Sequence, residues 1–115
     1  MTSADQRFTS RIAEERNSTL ELLASLHRDL AGMIAATTGA NADDEHDPEG
    51  ATIAYERAQL TVLLEQAEAR LTDLAAAEQR VRDGNYDRCE RCGGPIGEQR
   101  LLARPATRRC VRCAA

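Results

Sequence analysis

The apolar side chains follow a seven-residue repeat along most of the chain. One series is spaced by sevens with companions four residues later: Ile12, Thr19, Leu26 and Met33, with Leu23, Leu30 and Thr37. A second series has the same spacing: Ile53, Leu60, Ala67, Leu74 and Val81, with Leu64 and Leu71. Apolar residues at this spacing form the seam of a coiled coil. The pattern predicts two long amphipathic helices of similar length.

Residues typical of helix ends flank both series. Ser3 and Gln6 have the spacing of a capping box, and Gly39 comes just past the first series. Asp47-Pro48 is typical of an N-cap and a first helical residue, and Gly84 follows the second series. We therefore expect two helices of about 33 residues each.

The connection between the two predicted helices is short and polar. Residues 39–46 are too few for a domain linker, and a connection of this length makes neighbouring helices antiparallel. At about 1.5 Å per residue, such a hairpin is about 50 Å long. Its tip loop, at about residues 39–49, carries five acidic residues.

Three further apolar residues lie beside the seam of the first helix. Leu20, Leu22 and Ile34 widen its apolar face beyond a strict coiled-coil seam. They either contact a third element or a partner helix, or remain partly exposed to solvent, and the sequence leaves both possibilities open.

The composition limits the fold class. Of the 115 residues, 20 are alanine and only 24 are large apolar side chains, with one Phe, two Tyr and no Trp. These are too few to fill the core of a barrel or a doubly wound sheet, so most enzyme folds are excluded. No apolar stretch approaches the roughly 18 residues of a membrane span, and the N-terminus does not resemble a signal peptide. We expect a mainly α, non-enzymatic, cytoplasmic protein without a membrane partner.

Charge is distributed unevenly. Residues 1–85 carry a net charge of −8 and residues 86–115 a net charge of +4. The overall charge of −4 argues against a protein whose whole surface binds nucleic acid.

The C-terminal thirty residues contain four cysteines in two pairs. Cys89 and Cys92 form one Cys-x-x-Cys pair, and Cys110 and Cys113 form the other after 17 residues. This spacing is a strong signal for one structural Zn²⁺ held by four thiolates. A segment with so few large apolar residues also requires such a cross-link to fold. The sequence thus predicts a hairpin domain over residues 1–85 and a zinc finger over residues 86–115.

Two other interpretations of the cysteines are two disulfides and a redox-switched dithiol pair. The expected intracellular location disfavours disulfides, whereas release of metal on oxidation stays possible. A catalytic zinc is disfavoured because neither His27 nor His46 lies near the cysteines in the sequence.

Residues beside the cysteines are expected to support the site. Gly93 and Gly94 can adopt positive φ and direct N–H groups at sulfur. Five arginines lie within a few residues of the cysteines and are expected to offset the thiolate charge: Arg88, Arg91, Arg108, Arg109 and Arg112.

The residues between the cysteines resemble a known family. Cys89-Glu90-Arg91-Cys92, Ile96, Arg100-Leu101-Leu102-Ala103-Arg104-Pro105 and Cys110-x-x-Cys113 are similar to the signature of the DksA/TraR-type zinc-finger family of bacterial transcription regulators. The match covers residues 86–113, and upstream of them the resemblance rests on the hairpin.

The resemblance implies a function. In this family the hairpin enters the secondary channel of RNA polymerase, acidic residues at its tip act near the catalytic centre, and the finger contacts the channel rim. For this chain, the resemblance assigns the tip role to Asp44, Asp47 and Glu49. It assigns the rim contact to Arg100 and Arg104. The family's tip pattern Asp-x-x-Asp-x-Ala is matched only in part, and Asp47 is equally well placed to cap the second helix.

Three other functions stay open. The chain could be a zinc-ribbon protein that binds nucleic acid, a coiled-coil adaptor that pairs two copies, or a factor whose tip acids hold a second Mg²⁺ for transcript cleavage by polymerase. The polymerase regulator leads, and we expect a monomer that binds RNA polymerase and has no direct specific affinity for DNA.

Overall fold

The described chain is mainly helical: two long helices are followed by a small C-terminal segment that contains one short helix. The structure, a computed structural model, describes residues 2–38 and 48–114. For residues 37, 38, 48 and 49 it describes the backbone but not the side chains. Helix α1 spans Ser3–Thr38, α2 spans Pro48–Asp83 and the short α3 spans Glu98–Ala103. The predicted fold class is confirmed: two long helices pack together and are followed by the four-cysteine segment.

The N-terminus of α1 is capped one residue earlier than the sequence pattern suggested. The Thr2 hydroxyl accepts a hydrogen bond from the N–H of Asp5 at 3.1 Å, and the N–H of Thr2 donates to the Asp5 carboxylate at 3.2 Å. This reciprocal pair is a capping box. The box predicted at Ser3 and Gln6 was wrong, because Thr2 is the residue that precedes the helix.

Helix α2 ends at Asp83, and Gly84 follows it as predicted. Gly84 has a φ of 79°, and its N–H donates to Val81 O at 3.2 Å while the N–H of Asn85 donates to Arg80 O at 3.0 Å. These two bonds form a Schellman motif, which requires a left-handed residue after the helix. The motif sets the direction in which the chain leaves α2.

The described chain divides into two compact units. Unit 1 comprises residues up to Thr19 and from Arg70 onward, and unit 2 comprises Leu20–Ala69. The finger therefore shares its unit with the first half of α1 and the end of α2. The domain boundary between residues 85 and 86 stays a prediction.

Unit 1 has a continuous apolar core that the helices and the finger build together. The helices contribute Phe8, Ile12, Leu74, Ala77 and Val81, and the finger contributes Tyr86, Cys89, Ile96, Leu101 and Cys110. Because the start of α1 faces the end of α2, as in the Arg16–Glu78 ion pair at 3.4 Å, the two helices run antiparallel here. The finger is thus packed on the helices by burial of apolar surface.

The described part of unit 2 consists of the second half of α1 and the first part of α2. Leu26, Leu64 and Ala67 are buried, and the remaining described seam residues of the unit are half-buried: Leu23, Leu30, Met33, Ile53 and Leu60. The heptad pattern therefore identified the residues that face the partner helix.

The three apolar residues beside the seam of α1 are exposed. Leu20, Leu22 and Ile34 retain 44%, 53% and 41% of their accessible surface. Within the described chain no third element buries them, and a contact with a partner helix stays open. None of the described helices is both long and apolar enough to cross a bilayer.

Candidate metal centre

The four cysteines converge in unit 1. Their sulfur atoms all lie within 4.8 Å of one another, and the Sγ atoms of Cys92 and Cys110 are 3.8 Å apart. Ligands of a tetrahedral zinc with Zn–S bonds of about 2.3 Å are about 3.8 Å apart, so the thiols fit one such ion. All four are free thiols, which contradicts the interpretation as two disulfides.

Each Cys-x-x-Cys pair sits on a tight turn of the backbone, called a knuckle below. In the first knuckle the N–H of Gly93 donates to Cys89 O at 2.9 Å, and the N–H of Cys89 donates to Gly94 O at 2.8 Å. In the second, the N–H of Cys113 donates to Cys110 O at 3.0 Å. These turns hold the two sulfur atoms of each pair on the same side of the chain.

The two glycines of the first knuckle have different roles. Gly93 has a φ of 71°, as expected, whereas Gly94 is not in the left-handed region. Gly94 instead directs its N–H at the sulfur of Cys92, at 3.4 Å. The expectation of positive φ was thus correct for Gly93 and wrong for Gly94.

The thiols differ in acidity. Hydrogen bonds from the backbone N–H groups of Cys92 and Cys110 lower the pKa of the Cys89 thiol to about 6. For Cys110, burial raises the pKa, but the N–H of Cys113 and the neighbouring thiols outweigh it and lower the pKa overall. The hydrogen bond with Cys110, together with burial, raises the pKa of Cys113 to about 12. Backbone N–H groups therefore stabilise thiolate character at this site.

Two of the arginines near the cysteines are paired with carboxylates. Arg108 pairs with Asp73 at 3.6 Å, and Arg109 pairs with Glu90 at 3.1 Å. The main influences on the thiol pKa values come from N–H groups and from the other sulfurs rather than from guanidinium groups. Arg108 and Arg109 therefore connect parts of unit 1, whereas Arg88, Arg91 and Arg112 are exposed.

Of the two predicted rim arginines, one is engaged within the finger. Arg100 donates from Nε to Arg109 O at 3.0 Å and from Nη2 to the Thr107 hydroxyl at 3.4 Å. Arg104 is exposed. Arg100 therefore supports the second knuckle, whereas Arg104 presents its charge to solvent.

A buried contact that the sequence analysis missed joins the segment before Cys89 to the segment before Cys110. The Tyr86 hydroxyl donates to Pro105 O at 2.7 Å, and the ring of Tyr86 packs on that of Phe8 with centroids 5.0 Å apart. The available signal was weak: Tyr86 is the one large aromatic residue of a segment with few large side chains.

Two polar contacts between α1 and α3 were also missed. Arg7 forms an ion pair with Glu98 at 2.7 Å, and Arg11 donates to Leu102 O at 2.8 Å. These residues are 91 positions apart in the chain, so no local pattern pairs them. Both contacts attach α3 to the start of α1.

The predicted tip acids are not part of the described metal centre. Asp44 and Asp47 lie outside the described residues, as does His46. Glu49 lies in the first turn of α2, where the structure describes only its backbone. His27 is exposed on α1.

Comparison with known proteins assigns the four-cysteine segment. Residues 84–115 match the family model described as the prokaryotic dksA/traR C4-type zinc finger. The C-terminal segment is a DksA/TraR-type zinc finger. Such a finger is defined by four cysteines around one metal ion, and the DksA/TraR segment here has the thiols in place to hold it.

The fold of the whole chain is DksA-like. It is similar to the structure of transcription factor DksA2 from Pseudomonas aeruginosa, with a TM-score of 0.80 over 96% of this chain and 80% of that chain. The identity is 22%, so the likeness establishes the fold alone.

One curated relative is similar over part of the chain. An uncharacterized protein of Aquifex aeolicus (strain VF5) is 46% identical over 46 residues, which are 40% of this chain and 32% of that protein. The matched segment thus covers about a third of the relative's length.

Proposed function

We propose that this chain is a non-enzymatic regulator of transcription that binds RNA polymerase and acts in the cytoplasm as a monomer. The observation that carries the proposal is the DksA/TraR-type finger at residues 84–115. The DksA-like fold over 96% of the chain supports it, because the paired helices that would accompany such a finger are present. The chemistry of transcription would remain that of the polymerase.

Cys89, Cys92, Cys110 and Cys113 would hold one structural Zn²⁺. The support is the spacing of the four sulfur atoms, which suits a closed tetrahedral site, together with the backbone N–H groups that favour thiolates. A closed site has no open position for water, so the metal would stabilise the finger rather than catalyse a reaction.

The hairpin would carry the regulatory action. Each long helix has 36 residues, and the segment between them is rich in acidic residues. In the proposal this acidic end enters the secondary channel, where Asp44, Asp47 and Glu49 would act electrostatically near the Mg²⁺ of the polymerase active site. The finger would stay at the channel rim.

Arg104 is the better candidate for a direct rim contact. Its side chain is exposed, whereas Arg100 bonds to Arg109 O and Thr107 within the finger. Arg100 would therefore act as a positioning residue that holds the shape of the rim surface.

Binding and regulation can be tested with purified RNA polymerase from the same cell. We expect the zinc-loaded protein to be retained on immobilised polymerase at micromolar concentration and to change promoter output in transcription in vitro. Absence of both binding and any change in output would contradict the proposal.

Two substitutions at one position separate the roles of Asp47. Asp47→Asn removes the charge but keeps a good helix cap, whereas Asp47→Ala removes both. If the charge matters, both variants bind polymerase normally and lose regulation. Normal regulation by Asp47→Asn would assign this residue to capping. The variant Glu49→Gln would then test in the same way whether the charge of Glu49 is needed for regulation.

A second pair of variants tests the rim contact. Arg104→Gln should weaken binding to polymerase without changing zinc content or thermal stability, because its side chain is exposed. Arg112→Gln is the matched control, since Arg112 is another exposed arginine of the finger. Equal loss of binding in both variants would indicate general charge attraction instead of a specific contact.

A further inference from the structure

A cleft in unit 1 is lined by arginines that the proposed polymerase function does not use. It has a volume of about 470 Å³ and lies between the end of α2 and the first knuckle, with Arg108 beside it. Arg80, Arg88 and Arg108 line it, and Glu90 is the one carboxylate among its lining residues. We call it the arginine cleft.

The backbone orients the side chain of Arg80 at the cleft. Its Nη2 donates to Arg88 O at 2.7 Å and to Asn85 O at 3.4 Å. A guanidinium has five N–H donors. Within the part of the chain that the structure describes, its Nε and Nη1 have no hydrogen-bond partner. Arg80 is thus fixed in place and keeps donors for a ligand.

The carboxylate at the cleft does not cancel the arginines. Glu90 pairs with Arg109, which is not among the lining residues, at 3.1 Å. Arg108 reaches Asp73 at 3.6 Å, but both side chains are about half exposed, and such exposed pairs are weak and exchange readily with other anions. The cleft is therefore lined by three guanidinium groups and by one carboxylate that is already paired, with the Cys89 thiol as the remaining ionisable group.

Arg88 is the most available of the three. Its backbone is held by a bridge to Pro95, and its side chain is exposed. No ion pair or side-chain hydrogen bond of Arg88 occurs among the residues described at 2–38 and 48–114. An arginine on a fixed backbone with a free guanidinium is well suited to bind an external anion.

We propose that the arginine cleft binds the phosphoryl groups of an anionic ligand. Planar guanidinium groups recognise phosphate oxygens through paired hydrogen bonds. Besides the arginines and Glu90, the lining residues are small or carry an amide or a thiol: Ala76, Asn85, Cys89 and Gly93. No aromatic ring among them could stack on a base, so the site recognises phosphate rather than a nucleobase.

Titration calorimetry with inorganic pyrophosphate tests this site, using the full chain loaded with one equivalent of Zn²⁺. We expect the protein to bind pyrophosphate and Arg88→Gln to weaken the binding about tenfold, as loss of a charge-assisted hydrogen bond predicts. Arg91→Gln is the matched control, because Arg91 is also exposed and also precedes a cysteine but does not line the cleft.

Three results would overturn the proposal: no binding of pyrophosphate at millimolar concentration, equal weakening in the two variants, or loss of zinc in Arg88→Gln alone. The last would mean that Arg88 serves the metal centre. The assay contains no polymerase, so its failure leaves the proposed polymerase function untouched.

The source of the phosphoryl groups is decided by a second titration with a single-stranded oligothymidylate. If the oligonucleotide binds and pyrophosphate displaces it, the ligand is a nucleic-acid backbone. If only pyrophosphate binds, the ligand is a small phosphorylated molecule. If the oligonucleotide binds but pyrophosphate does not displace it, the oligonucleotide binds outside the cleft. That result would contradict a nucleic-acid backbone as the ligand of the cleft.

Discussion

Tyr86 holds the second half of the finger through one buried hydrogen bond. Its hydroxyl donates to Pro105 O, and replacement by Phe would leave that buried carbonyl without its partner. We expect Tyr86→Phe to lower the free energy of unfolding by about 1–3 kcal/mol, which chemical denaturation of the zinc-loaded protein can measure. Tyr55→Phe is the control, because Tyr55 is 65% exposed and should change stability by less than about 0.5 kcal/mol. Equal effects would contradict the role of the bond.

The same tyrosine gives the stability a dependence on alkaline pH. Burial raises the pKa of Tyr86 from 10.0 to about 12, although Arg80 and Arg11 lower it slightly. A raised folded-state pKa contributes stability that is complete below pH 10 and is lost as the pH rises through 12. Titration of tyrosinate absorbance in a Tyr55→Phe background should show a midpoint near 12, provided that the protein stays folded. A midpoint near 10 in the folded protein would show that the hydroxyl is not buried.

At the scale of the helix, replacement of glycine by alanine should change the stability in opposite directions at Gly84 and at Gly32. Gly84 has a φ of 79° at the end of α2, where a Cβ is unfavourable, so Gly84→Ala should cost about 1 kcal/mol. Gly32 lies within α1, and a methyl group added to its Cα would meet no atom within 4 Å, so Gly32→Ala should add about 1 kcal/mol. Thermal unfolding of the two variants measures both signs, and a shift in the same direction for both would be inconsistent with the assigned conformations.

The elements that sequence reasoning predicted well depend on short-range patterns. The heptad spacing identified Ile12, Leu26 and Leu74 as buried seam residues because side chains seven apart return to the same helix face. Likewise, Gly84 was recognisable because few residues other than glycine adopt its φ. The position of the α1 cap was missed because Thr2 and Ser3 are both good caps, and only the backbone decides between them.

The candidate site was predictable only as far as its ligands. Two Cys-x-x-Cys pairs suffice to predict convergence of four thiols, since metal binding demands it. The contacts of Tyr86 with Pro105 and of Arg11 with Leu102 depend instead on how the finger packs on the helices. Neither contact has a fixed spacing, and an arginine that bonds to a carbonyl looks in sequence like any exposed arginine.

In the molecule as a whole, opposite charges connect segments distant in sequence. Ion pairs join the finger to the long helices, with the arginine on either side. Arg108 of the finger pairs with Asp73 of α2, and Arg7 of α1 pairs with Glu98 of α3. These exposed pairs contribute little individually. The attachment of the finger within unit 1 therefore depends mainly on the apolar core and on the metal centre that shapes it.

Removal of zinc should consequently disrupt the finger and its share of that core while sparing most helical structure. Cys89 and Cys110 are themselves core residues next to Ile96 and Leu101, and a segment of this size does not fold by burial alone. After chelation, we expect near-ultraviolet dichroism of Tyr86 to disappear in a Tyr55→Phe background. Far-ultraviolet helical signal should largely persist, because the hydrogen bonds of α1 and α2 are local. Cys113→Ser should reproduce the change without chelator, and added Zn²⁺ should reverse it only in the protein that keeps all four cysteines. An unchanged Tyr86 signal after verified loss of metal would show that the apolar core holds the finger by itself.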